Sequence, residues 1–95
     1  MYIDDFIWLS DIEEKLEVKH DVSRDETEEV FFNRPHFRFV ELGNHPNEDV
    51  YSASGQTNTG RYLIVFFIRK PANMALIVSA RDMGITERRY YERKR

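Results

Sequence analysis

The chain has 95 residues, 41% apolar and 14% aromatic, with no cysteine and a formal net charge of −3. That length sets one domain, residues 1–95, with a thin margin, because a chain this short buries only about 60–65% of its unfolded surface. Without cysteine there is no disulfide framework, no thiol nucleophile and no thiolate metal site.

The charge is uneven along the chain. Residues 1–33 hold 11 acids and 3 bases, a net of −8, while residues 34–95 hold 6 acids and 11 bases, a net of +5. Such a split reads either as a basic functional face beside an acidic remainder, or as two acidic surface helices and one basic helix. The opening MYIDDFIWLSD carries early acids and no basic run, unlike a secretory signal. The longest apolar run, Tyr62 to Ile68, is far shorter than the ~20 residues that span a bilayer. A cytoplasmic protein, away from membranes, is expected.

Residues 2–8 are short, apolar and aromatic, and predict a brief first strand. Ser10-Asp11-Ile12-Glu13 has the S-x-x-E form of a capping box and predicts a helix that fades at Lys19-His20-Asp21. Ser23-Arg24-Asp25-Glu26 is a second box and predicts a short helix ending near Phe32, with Val30 and Phe31 inward. Pro35 stops helical continuation.

From Phe37 the period changes to two and the composition to β-formers. Phe37, Phe39 and Glu41 alternate with Arg38, Val40 and Leu42, before a loop at Gly43 to Asn47. Val50 to Gln56, Tyr62 to Arg69 and Met74 to Arg81 are the next predicted strands, separated by turns at Asn58-Thr59-Gly60 and Pro71-Ala72-Asn73. Tyr62 to Arg69 is apolar on both faces, as a central strand is. In the last strand Leu76, Val78 and Ala80 alternate with Ala75, Ile77, Ser79 and Arg81. Gly84 breaks that strand, and Thr86 is the predicted cap of a terminal helix from Glu87 to about Lys94.

The order is β-α-α-β-β-β-β-α. Short turns make the last four strands an antiparallel meander, with helices covering one face of the sheet. The fold class is α+β: a short N-terminal strand and two short helices, a four-stranded antiparallel meander, and a C-terminal helix.

His20, His36 and His45 contain no i,i+4 pair, and no carboxylate cluster has metal-ligand spacing, so no metal is expected. No glycine-rich phosphate-binding motif or nucleophile elbow occurs, so no cofactor is expected.

The chemistry concentrates at the end of the chain. Arg81 closes a strand, Glu87 opens a helix, and Tyr90 and Tyr91 lie three and four residues further on. An arginine there stabilises charge on a reacting phosphate, a carboxylate or histidine takes a proton from a 2′-hydroxyl, and aromatic rings stack on splayed bases. Each residue also has a structural explanation. Glu87 suits the positive end of a helix. Arg88 with Glu92 is an ordinary surface pair worth ~0–1 kcal/mol. His20 suits a helix C-terminus or acts as a general acid. Arg61 is a turn residue or a second phosphate ligand.

The same residues resemble the BrnT toxin family, whose members carry a Trp near the start, then K-H-G-[VI]-S, then E-E-A-x-x-V-F, a later D/N-P, a strand opening on G-R, and a close of I-S-A-R and E-R-R-x-Y-E. Here these read Trp8, Lys19-His20-Asp21-Val22-Ser23, Glu28-Glu29-Val30-Phe31, Arg34-Pro35, Gly60-Arg61, Ile77-Val78-Ser79-Ala80-Arg81 and Glu87-Arg88-Arg89-Tyr90-Tyr91-Glu92. The chain departs from that pattern at Asp21 in place of Gly, at Leu9 after the Trp, at Tyr90 in place of a third basic residue, and before the last strand.

The resemblance implies a RelE-like fold and a ribonuclease toxin of a type II toxin–antitoxin system. It implies metal-independent RNA cleavage that arrests translation. Its expected partners are an RNA substrate and a BrnA-like ribbon-helix-helix antitoxin, reaching operator DNA only through that antitoxin, as a homodimer or 2:2 complex. Position by position it implies catalytic roles for His20, Arg61, Arg81 and Glu87, and RNA contacts by Arg88, Arg89 and Tyr91. Arg81 and Arg61 are then assigned to phosphate, Glu87 to proton abstraction and His20 to leaving-group protonation. The alternative is a non-catalytic module of the same fold that pairs with an antitoxin and co-represses its operon.

Overall fold

The computed structural model describes residues 1–94. Its elements run β1 (Asp5–Ile7), α1 (Ser10–His20), α2 (Arg24–Phe32), β2 (His36–Glu41), β3 (Val50–Gln56), β4 (Tyr62–Lys70), β5 (Met74–Asp82) and α3 (Ile85–Lys94). One sheet of five strands has the order β1-β5-β4-β3-β2. β2 to β5 form the expected antiparallel meander. β1 joins parallel to β5, with Phe6 opposite Ala75, which makes the sheet mixed.

The capping chemistry differs at two of the three helices. Ser10 is the first residue inside α1, and Leu9 occupies the cap with no side-chain bond. The expected box does not form because the helix starts one residue early, which puts Ser10 inside it; the Glu13 carboxylate instead accepts from Arg24 Nη2 and Nε at 2.7 and 3.1 Å. At α2 the box is complete: Ser23 Oγ accepts the Glu26 amide and Glu26 Oε1 accepts the Ser23 amide, each at 3.1 Å. At α3 the cap is Gly84 rather than Thr86. Its carbonyl accepts the Arg88 amide at 2.9 Å, and its own amide donates to Glu87 Oε1 at 2.8 Å.

α1 and α2 cover one face of the sheet. Leu16, Val22 and Val30 pack on Ala53, Leu63, Val65, Phe67, Ala75, Ile77 and Ala80, all buried. The Phe31 ring meets Phe6 and Phe67 edge-on at 4.9 and 5.2 Å. Gly55 lets α2 come close, since a Cβ there would lie 3.1 Å from Val30 Cγ1 and 3.3 Å from its carbonyl oxygen.

One irregularity decides which way the end of β5 faces. Phe66 pairs with Ser79 but Phe67 pairs with Ile77, so Val78 is an extra residue, a β-bulge. Strict alternation would place Ala75, Ile77 and Arg81 on one face. The bulge shifts the phase, so Ala75, Ile77 and Ala80 are all buried in the core. Arg81 then lies on the opposite face, across from Ile64 of β4.

That second face carries Tyr62, Ile64 and Phe66 of β4, apolar side chains that also need cover. α3 supplies it, so the helices do not all lie on one face as expected. Tyr91 is 2% exposed, sits edge-on to Tyr62 at 6.1 Å, and its hydroxyl donates to the Arg34 carbonyl at 3.3 Å. Among the described residues no helix is long and apolar enough to cross a membrane.

Candidate active site

α3 covers only the start of the second face, and what remains is a groove of about 470 Å³. Arg38 comes from β2, Ser52 and Ser54 from β3, Phe66 from β4, and Glu87 and Tyr90 from α3. The two serines keep the floor low, while the rim is basic and aromatic.

At one end Arg81 and Glu87 form a bidentate pair, Nη1 to Oε1 at 2.7 Å and Nη2 to Oε2 at 2.8 Å. Both side chains are partly open, 42% and 36% exposed, so the pair is accessible to a ligand. The Arg81 guanidinium holds the Glu87 carboxyl down to about 2, against the upward push of burial and with help from the Gly84 amide. Arg81 is raised in turn, chiefly by its hydrogen bonds to Glu87. The Arg81 guanidinium lies 5.8 Å from the Phe66 ring centroid.

At the other end the Tyr90 ring gathers cations. The Arg38 guanidinium lies 5.1 Å and Lys94 Nζ 5.5 Å from its centroid, and the His36 ring meets it edge-on at 5.6 Å. Arg88 stacks over Tyr62 at 4.0 Å and pairs with Glu92 at 3.5 Å. Arg89 is exposed on α3.

Arg61 belongs to a separate cluster. Its Nε and Nη2 donate to the two Asp82 oxygens at 2.8 and 3.1 Å. Nη1 donates to the Asp21 carbonyl at 2.6 Å and to Glu26, and Nη2 also reaches the His20 carbonyl at 3.1 Å. Those carbonyls end α1, where a cation is favoured. Asp82 lies opposite Leu63, a core-face residue, so this cluster sits on the helix side of β5. Arg61 holds the Asp82 carboxyl below its usual value, with a smaller contribution from the nearby His20. Asp21 leaves α1 in the left-handed region, φ 53 and ψ 42, and its amide closes on the Leu16 carbonyl.

The six-residue spacing from Arg81 to Glu87 thus becomes a direct contact. His20 and Arg61 gather together on the other side of the strand, joined to the first pair only through Arg81 and Asp82 being neighbours. Tyr91 is buried against the sheet, which leaves its ring no open face for a base; the ring in the groove is its neighbour Tyr90. Sequence reasoning missed His36 and Arg38. Their i,i+2 spacing on a predicted strand was the available signal, but nothing in the sequence brought that strand to α3. Among the described residues no three His, Asp or Glu side chains are grouped to hold a metal ion.

This arrangement of helices and sheet has a counterpart among solved structures. The crystal structure of the Brucella abortus ribonuclease toxin BrnT superposes with a TM-score of 0.63, covering 84% of this chain and 96% of that one at 17% identity. No curated protein matches the chain in sequence. Residues 8–87 match the family described as the ribonuclease toxin, BrnT, of type II toxin–antitoxin systems, and the chain belongs to that family.

Proposed function

We propose that this chain is an active endoribonuclease toxin that cleaves RNA in the open-face groove, without metal, and arrests translation in the cytoplasm. The observation that carries this reading is the accessible bidentate pair of Arg81 and Glu87 at the groove's end. In the proposed reaction the 2′-oxygen of the substrate attacks the adjacent phosphorus and the bond to the 5′-oxygen breaks. The products are a 2′,3′-cyclic phosphate and a free 5′-hydroxyl. Arg81 neutralises the charge that builds on the phosphoryl oxygens.

Glu87 receives the 2′-hydroxyl proton. Held by Arg81 at about 2, its carboxylate is a weak base. An incoming phosphate competes for the same guanidinium. As the pair loosens, the Glu87 carboxyl moves back toward its ordinary value and becomes a better proton acceptor. His20, the donor that the sequence suggested, gathers with Arg61 on the other face of β5, away from the phosphorus held by Arg81, so the leaving 5′-oxygen takes its proton from solvent. Arg61, whose five N–H groups are all engaged, is assigned to fastening α1 and α2 to β5. Arg88 and Arg89 are assigned to the RNA backbone.

The family's toxin–antitoxin pairing supports an antitoxin partner. We assign to it the ribbon-helix-helix class, with operator DNA contacted through it. The competing reading, a non-catalytic antitoxin-binding module, draws on one observation, the low basicity of Glu87 in its resting pair. Induced expression of the chain alone in a bacterium separates the two. Growth arrest with decay of total RNA, both lost in Arg81→Ala, is the expected result. Normal growth and intact RNA from folded, soluble protein would favour the module.

A further inference from the structure

We infer that Tyr90, with Arg38 and His36, is a nucleobase subsite that recognises the base flanking the scissile phosphate and so sets the cleavage preference of this chain. The inference rests on the nuclease reading above.

His36, Ser54, Ile64 and Arg81 lie on one row across β2, β3, β4 and β5, by the pairing His36 to Ser54, Ser54 to Ile64 and Ile64 to Arg81. Three interstrand steps place the two ends of that row about 14 Å apart. Arg81 marks the phosphate end. The opposite end holds the half-buried Tyr90 ring with a guanidinium, an ammonium and an imidazole around it.

Two features select a base as the occupant. First, the groups over the Tyr90 ring are Arg38 and Lys94, both exposed and flexible, and cation–π contacts at exposed positions are weak. A base stacks on an aromatic ring more strongly and displaces them. The freed cations then lie beside the phosphates that flank that base. Second, the floor between the two ends carries Ser52 and Ser54, small hydroxyl side chains that leave room for a ring and offer donors and acceptors to its edge. An apolar peptide segment would match Ile64 and Phe66 of the floor but would leave Arg38, Lys94 and the two serine hydroxyls without partners.

The ring stands apart from the Arg81–Glu87 pair, so its expected effect is on base preference rather than on the chemistry.

The test uses the purified full chain and short single-stranded RNAs that differ only in the base next to the cleaved bond. Tyr90→Ala is expected to lower kcat/KM about tenfold or more, mainly through KM, and to level the preference among flanking bases. Tyr90→Phe keeps the ring and is expected to retain both. Arg38→Gln, a surface change that leaves the fold intact, is expected to weaken binding of the same RNAs without levelling the preference. Wild-type preference and KM in Tyr90→Ala, with cleavage intact, would overturn the subsite while leaving the nuclease reading in place. Unchanged cleavage with loss of antitoxin neutralisation in Tyr90→Ala would also overturn it, and would make the groove a protein-binding seat. No cleavage of any RNA by the folded wild-type chain would remove both.

Discussion

Arg81 and Asp82 are consecutive residues of β5 whose side chains leave the strand on opposite faces, Arg81 to Glu87 at 2.7 Å and Asp82 to Arg61 at 2.8 Å. One strand end therefore anchors two ion-pair clusters. The first faces the groove; the second ties the end of α1 and the start of α2 to the sheet. The bulge at Val78 sets this division, because it moves the strand's phase by one residue just before Arg81.

The Glu87 carboxyl gives the fold a measurable acid sensitivity. Its folded value of about 2 lies below its unfolded value of 4.5, so the unfolded chain binds more protons between them. The stabilisation is fully present above pH 4.5 and is lost as pH falls toward 2. Glu26 and Asp82 are lowered too and add to the loss. Urea denaturation across this range should show a smaller fall in Glu87→Gln than in wild type. Equal falls would mean that the pair with Arg81 does not form in solution.

Arg61→Ala tests the second cluster. It removes the donors to the carbonyls of His20 and Asp21 and strips Glu26 and Asp82 of their partner. A loss of about 2 kcal/mol is expected, read as a lower urea midpoint with the slope unchanged. Cleavage per folded molecule should stay near wild type. Full stability with abolished cleavage would instead make Arg61 a phosphate ligand.

Asp21→Gly should stabilise the chain by about 0.5–1 kcal/mol. Asp21 holds φ 53, a conformation that costs a residue with a Cβ and costs glycine little. The gain would show as a higher thermal midpoint. A loss would mean that the Asp21 side chain has a role that its backbone geometry does not express.

Tyr91 fastens α3, and with it Glu87, to the sheet. Tyr91→Ala should cost about 3–5 kcal/mol, as for other buried aromatic truncations, and should loosen the groove by freeing the helix. Hydrogen exchange across Ile85–Lys94 should speed up before the sheet is affected. Unchanged protection there would show that α3 is held by its exposed stacking contacts instead.

Local signals in the sequence were read directly. The composition of Val50–Gln56 bounded by turns, the Ser23–Glu26 box and the two-sided apolar pattern of β4 each correspond to an observed element. The Arg81–Glu87 contact was legible because Arg81 lies at a strand end and Glu87, six positions on, in the first turn of a helix, with only Met83 and Gly84 between the two elements. Features that depend on distant partners were not. The parallel pairing of β1 with β5 joins segments nearly seventy residues apart, such as Phe6 and Ala75. The Val78 bulge carries no glycine or proline to mark it. The Ser10–Glu13 box looked as good as the one that forms, but the helix begins at Ser10 with Leu9 as its cap, and Glu13 pairs with Arg24 of the next helix. Tyr90 and Tyr91 differ by one position, and only the packing of α3 on Tyr62 tells which ring is buried and which lines the groove.

The most direct measurement is cleavage by the purified chain of a single-stranded RNA and of the same strand with a 2′-deoxy sugar at the cleaved position, each with wild type and Arg81→Ala. The account predicts that wild type cuts the RNA to a 2′,3′-cyclic phosphate and a 5′-hydroxyl and leaves the 2′-deoxy strand whole. Arg81→Ala should lower the rate by about a hundredfold or more. Cleavage of the 2′-deoxy strand, or wild-type rates in folded Arg81→Ala, would contradict it.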